Sequence, residues 1–218
     1  MRVIHHILNK YIFDVKSMGS IFIVPLLIIT IYTLIIGLVP LGFLRGEVVF
    51  LSFQILIVPI SSWWITYFLF EVYQQNAEEI LVNYYKRFLL QEMLRFFLLF
   101  IVAVLPIWSI ISLKYTTIFS WEILLLHICQ IVFFMALSMF ITIFLKSTEA
   151  SLAFISLYCS VEAITSGQLI PWFHIFYLNT LSITFEESLY LSIKNIILAL
   201  IFLALSSLYF KKTERNII

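Results

Sequence analysis

Hydrophobic positions along this chain gather into long runs rather than the alternating or one-faced patterns of a soluble domain. Six runs approach or exceed the roughly 20 helical residues that cross a bilayer's hydrocarbon core. They cover residues 20–44, 48–70, 96–113, 121–145, 150–166 and 189–210, and Pro25 and Pro40 lie near the ends of the first. Two stretches are instead two-faced. Over residues 1–17, Ile4, Ile7, Leu8, Tyr11, Ile12 and Val15 recur at helical spacing, with Arg2, His6, Asn9 and Lys10 on the other side. That spacing predicts a helix lying in the membrane interface. The stretch lacks the continuous apolar core and small-residue cleavage site of a signal peptide. Over residues 74–95, Leu81, Tyr84, Tyr85, Phe88 and Leu89 share one helical face, and Glu79, Asn83, Lys86, Arg87 and Gln91 share the opposite one. Glu78 and Glu79 come early and Lys86 and Arg87 late, the order that suits a helix dipole. The pattern predicts an all-α polytopic membrane protein: six transmembrane helices, an N-terminal interfacial helix and a flat helix between the second and third spans.

Composition agrees with lipid as the main solvent. Of 218 residues 63% are hydrophobic and 11% charged, with a mean hydropathy of +1.09. A soluble domain carries about 25% charged residues. The net charge of +1 gives no footing for nucleic-acid binding. The two cysteines, Cys129 and Cys159, lie inside apolar runs, which argues against a disulfide framework or a zinc site. None of the five glycines is followed by lysine, so the phosphate-cradling G-x-x-x-x-G-K-[ST] pattern is absent and the chain has no P-loop of its own.

Lysine and arginine placement sets the orientation. With the N-terminus inside and six spans, the inner face collects Arg2, Lys10, Lys16, Lys86, Arg87, Arg95, Lys146, Lys211, Lys212 and Arg215. Only Arg45, Lys114 and Lys194 fall outside. The expectation is a multi-pass protein of the plasma membrane with both termini cytoplasmic, which places the 74–95 helix on the cytoplasmic face.

The segment 167–186 is too apolar for an open loop and too interrupted for a span. Gly167 and Pro171 punctuate it, Trp172, Phe173, Phe176 and Tyr177 suit an interfacial belt, and Asn179 follows. It reads as an outer re-entrant segment or as an interfacial loop with aromatic anchors. Glu162 lies about 20 Å along span five from Glu149. A charge at that depth costs about 2.5–3.5 kcal/mol and needs a partner, a proton or water. It fits a translocation path, a dimer seam or a bond within the bundle, as do Gln54, Ser61 and Ser62 in span two. His127 and His174 fit hydrogen-bonded bundle residues, and Lys194 fits a snorkelling side chain.

Catalytic constellations are missing. Glu78-Glu79 resembles the opening of the E-E-x-x-x-R motif of intramembrane hydrolases, but position 83 is Asn and no F-x-x-x-H follows. Neither H-E-x-x-H nor G-x-S-x-G occurs. No catalytic or metal-binding residue is assigned, and no enzymatic activity of this chain is expected.

In its whole architecture the chain resembles the permease subunit of a type-2 ABC transporter, of the exporter-like family. The acidic opening Glu71, Glu78, Glu79, Ile80 and Leu81, followed by Lys86, Arg87 and Arg95, carries the resemblance to that family's coupling helix. Asn83-Tyr84-Tyr85 replaces the usual glycine and proline turn. The resemblance implies that Glu71, Glu78, Glu79, Asn83, Lys86 and Arg87 dock a cytoplasmic ABC ATPase. ATP and Mg would then sit on that partner and no cofactor on this chain. It also implies pairing with a second permease copy or paralogue, and an outer re-entrant segment that includes Gly167, Pro171, Trp172 and Asn179. The few charges along the spans suit export of an amphipathic or hydrophobic substrate such as an antimicrobial peptide. The alternatives are a stand-alone membrane immunity or accessory protein without an ATPase, and an intramembrane hydrolase.

Overall fold

The computed structural model describes residues 2–40, 43–73, 89–116, 120–169, 173–178 and 184–217, apart from the side chains of 2–9, 71, 72 and 211–217. The described residues are mostly helical, and no strand occurs among them. Nine α-helices occur among them: α1 (Arg2–Met18), α2 (Val24–Leu38), α3 (Gly46–Ser52), α4 (Val58–Ile60), α5 (Ser62–Tyr73), α6 (Leu89–Lys114), α7 (Trp121–Leu145), α8 (Thr148–Thr165) and α9 (Phe185–Ile217).

Among the described residues five helical stretches are long and apolar enough to cross a membrane: Lys10–Leu38, Gly46–Phe70, Leu89–Lys114, Trp121–Leu145 and Phe185–Phe210. The protein is a membrane-embedded helical bundle. α8, with 18 residues and carboxylates at Glu149 and Glu162, is not among the five.

Helix limits follow local chemistry. Gly19, at φ +58°, sits in the 3-10 turn Gly19–Ile23 that separates α1 from α2. α2 ends at Leu38 with Val39 extended, as expected of the residue before a proline, so the helix of the first span stops short of the 44 read from hydropathy. The second span is one rod in three pieces. Pro59 has no N–H and its ring crowds the carbonyl four residues earlier. Just before it the rod widens into a π turn, Phe53–Ile57, which holds Gln54.

Side-chain bonds fix the relative directions. The Lys114 ammonium donates to the carbonyls of Ile36, Gly37 and Val39 at 2.6–3.0 Å, while Tyr11 donates to Arg95 O at the other end of α6. The α1–α2 unit and α6 therefore run side by side in one direction. α7 runs with the α3–α5 rod, joined by Gln130 to Gln54, by Ser61 to Ile131 O, and by the Thr66 and Ser138 hydroxyls in contact. α9 also runs with α7, from the Ser188–Glu122 O bond to the Phe133–Phe202 and Phe144–Tyr209 ring contacts. α8 runs against α7, with Ser151 near Ser138 and Tyr158 near Phe134. α7 lies at the centre: 72% of its apolar window is buried, and 61% of that of the second span, against 22–33% for the other three.

Lys114 carries a testable share of this arrangement. It takes three carbonyls that the end of α2 would otherwise leave unpaired. Lys114→Met keeps the chain length and removes the donors. It should cost about 1–3 kcal/mol, read as a lowered unfolding midpoint of the purified protein.

Candidate functional site

Beyond α8 the chain turns back into the bundle. Ser166 and Gly167 both take left-handed backbone, φ 49° and φ +73°, and their N–H groups return to Glu162 O. Residues 173–178 then run without regular helix, yet Ile175 and Phe176 are fully buried. Gln130, which bonds Ile175, stands nine residues into α7, about 14 Å from its start. Irregular backbone at such depth is tolerated only where protein or water satisfies it.

Four elements satisfy it here. Gln54, from the π turn, accepts from Tyr177 N at 3.0 Å and donates to Tyr177 O at 3.2 Å. Gln130 of α7 donates to Ile175 O at 3.0 Å and to the Gln54 amide oxygen at 2.8 Å. Tyr158 of α8 donates to Phe173 O at 3.0 Å, and Lys194 of α9 to His174 O at 2.5 Å. Glu162 of α8 accepts the Ile175 and Phe176 N–H groups on one oxygen, at 2.6 and 3.1 Å. The same oxygen lies 2.5 Å from His174 Nδ1. Gly167 makes room for this ring, since a Cβ there would overlap it.

His174 also lines a cleft of about 510 Å³ that reaches the end of the bundle, beside Ser166, Gln168, Tyr177, Glu187 and Tyr190. Burial raises the Tyr177 phenol above its ordinary pKa, and Glu187, within hydrogen-bonding reach, pushes it the same way.

At the opposite end a second polar cluster ties α1 to α6. Lys10 meets Glu92 at 2.6 Å, Arg95 meets Glu92 at 2.6 Å, and Arg95 meets Asp14 at 2.7 Å. The Arg95 guanidinium lies over the Tyr11 and Phe96 rings. Glu92, Asp14 and Arg95 are nearly buried, so each charge depends on the others. A groove of about 530 Å³ runs along the bundle's flank between the second rod and α8, lined by Leu56, Pro59, Trp63, Ile155, Ser156 and Ser160 among others.

The residues singled out in the sequence thus fall in different places. Gln54, Glu162, Gly167, His174 and Lys194 converge on the buried segment. Lys194 bonds a carbonyl inside the bundle rather than reaching outward. Ser61 donates to Val58 O and Ser62 to Pro59 O, and Ser62 borders the groove. His127 packs against the Phe50 and Phe53 rings. The Glu71 side chain, and Glu78, Glu79, Asn83, Lys86, Arg87, Pro171, Trp172 and Asn179, lie outside the described residues. Among those residues no group of three or more metal-ligand side chains forms. Sequence reasoning missed Gln130, Tyr158, Asp14 and Glu92. A lone amide within an apolar run was the available signal for Gln130, and the i, i+3 pair Glu92–Arg95 for the second cluster.

Two substitutions check the anchoring. Gln54→Leu and Gln130→Leu should each cost about 1–3 kcal/mol by orphaning buried backbone groups. Because the two amides bond each other, the double variant should lose clearly less than the two single losses together, as a double-mutant cycle of unfolding free energies would read.

No protein-family model, curated protein or solved structure matches the chain, so a functional reading has the bundle's own geometry to stand on.

Proposed function

We propose that the chain is the permease half of a type-2 ABC exporter of the plasma membrane, with six crossings and both termini cytoplasmic. It works beside a second copy or a paralogue and is driven by separate ATPase subunits that hold ATP and Mg. The observation that carries this reading is the ion-pair chain Lys10–Glu92–Arg95–Asp14. It lies at the foot of α6, at the end of the two-faced stretch 74–95 read as the ATPase-docking helix, of which residues 89–95 belong to α6. A push on that stretch is useful only if the spans it joins move together with their neighbours. The ion pairs make α1 and α6 one mechanical unit, and Trp63 and Trp64 of α5 donate to Ile21 O and Phe22 O in the turn after α1.

Three further features support it. α8 runs back along α7, from Ser151 beside Ser138 to Glu162 beside the buried segment, a course that suits a sixth crossing. An even number of crossings brings both chain ends to one side. Lys10, Lys16, Arg95 and Lys146 lie at that side, and Arg45, Lys114 and Lys194 at the other, the bias expected with that side in the cytoplasm. The flank groove lies between the second span and α8, where a path or dimer seam along spans two and five would run. Its mainly apolar lining suits an amphipathic or hydrophobic cargo.

The test is purification of the intact chain from its native membrane with gentle cross-linking. A soluble ATPase bearing a P-loop should co-purify. A chain that folds and inserts but never holds an ATPase would overturn the exporter reading in favour of a stand-alone accessory protein. In the complex, Glu92→Lys should reduce substrate-stimulated ATP hydrolysis about tenfold while leaving ATPase binding intact, because it breaks coupling rather than docking. Lys10→Glu combined with Glu92→Lys should recover part of that loss.

A further inference from the structure

We propose that Glu162 and His174 form a proton-binding site open to the medium at their end of the bundle, and that proton uptake there releases residues 173–178 from α8. The geometry carries this apart from any transport role. Glu162 is 5% exposed, and one of its oxygens accepts from Ile175 N and Phe176 N and lies 2.5 Å from His174 Nδ1. The other oxygen has no hydrogen-bond partner among the described residues. The Glu162 side chain also borders a small cavity of about 20 Å³, lined by Tyr158, Thr165, Gly167, Phe173 and His174 among others. That is room for one water molecule, which needs about 10–15 Å³. The His174 side chain is 22% exposed and borders the open cleft, so a single ring connects the buried carboxylate to the medium.

The transfer balances. With His174 neutral and its proton on Nδ1, Nε2 accepts a proton from the medium and Nδ1 passes its own to the carboxylate. The result is a neutral ring in its other tautomer and a protonated Glu162, one proton in all. Before the event the carboxylate is the strong acceptor for two backbone N–H groups. Afterwards it carries a donor of its own and no charge, and the ring nitrogen facing it has changed from donor to acceptor. Two buried N–H groups lose their charged partner, and the Lys194 ammonium on His174 O loses its nearest counter-charge.

Other charged and titratable groups surround the site. α8 adds Tyr158 and Cys159, which Glu162 influences electrostatically. The segment adds Tyr177, and α9 adds Glu187, Tyr190 and Lys194. The rod and α7 face it with the uncharged Gln54 and Gln130, and His127 lies one turn from Gln130 against Phe53. Of these, Glu162 alone bonds the segment's N–H groups through a carboxylate.

The experiment is hydrogen exchange of the full-length protein in micelles, corrected for intrinsic rates, read on peptides covering 173–178. From about pH 7.5 to about pH 5, wild type should lose about tenfold in protection there while α7 and α9 stay protected. Glu162→Gln should hold the segment weakly and equally at both values. His174→Gln should blunt the response and leave the neutral-pH protection near wild type. Wild-type protection that is equal at both values overturns the proposal whatever the variants do. So does a Glu162→Gln protein that responds to pH as wild type does. If Glu162→Gln fails to fold, wild type and His174→Gln decide between them: a wild-type loss that His174→Gln blunts supports the site, and one that it leaves unchanged overturns it.

Discussion

A stretch of backbone that leaves helical geometry inside a lipid-embedded bundle must find protein partners for its N–H and C=O groups, because hydrocarbon supplies none. Residues 173–178 impose that demand, and much of the bundle is arranged to meet it. Gln54 needs the extra backbone room of the π turn ahead of Pro59. Gln130 needs the central position of α7. Tyr158, Glu162 and Lys194 commit α8 and α9 to the same spot. The choice of side chains follows from what each carbonyl or N–H lacks. An amide offers a donor and an acceptor at once, so Gln54 holds both sides of Tyr177 without bringing a charge. Two neighbouring N–H groups call for a strong acceptor, and a carboxylate fills that need at the cost of a buried charge. His174 and Lys194 offset that cost.

The other end of the bundle solves a different problem with the same material. There α1, a helix with a polar face, must be held against the foot of α6. Glu92 and Arg95 stand one turn apart and take Lys10 and Asp14 from α1 in register. Buried ion pairs add little net stability because desolvation offsets their attraction, but a shifted register leaves each charge unpaired. The cluster therefore fixes where α1 sits more than how strongly it holds. Between the two ends the helices meet through small hydroxyls, Thr66, Ser138 and Ser151, which let α5, α7 and α8 approach closely.

The membrane character, and the turning points near Pro40, Lys114 and Lys146, were legible in the sequence because hydropathy and charge act locally. So was the unusual nature of the stretch after Gly167, since proline, glycine and aromatic residues mark a broken span whatever surrounds it. What surrounds it was not legible. Glu162, His174 and Lys194 look alike as isolated polar residues in apolar runs, and only the return of the chain into the bundle brings them within 2.6 Å of their partners. Lys194 shows the difference. Its position near the start of α9 suggested an outward reach, yet a buried carbonyl in need of a donor outcompetes water at that distance. The acids that pin α1, Asp14 and Glu92, drew no notice because each looks ordinary alone.

α8 makes the same point about how a helix with buried polar groups is to be judged. Thr148, Ser151, Ile155, Cys159 and Glu162, at spacings of three and four, form its inward stripe. Phe154, Leu157 and Ile164 point away from the bundle. A hydropathy average counts Thr148, Ser151 and Glu162 against the helix although they face the bundle. Judged by its outer face, α8 is a helix that lipid can tolerate; judged by its inner face, it is one that only this bundle can accept, because Glu162 has its acceptor role only where residues 175 and 176 come back to it. The helix and the buried segment therefore stand or fall together: without the segment α8 carries an uncompensated carboxylate, and without α8 the segment carries two unpaired N–H groups.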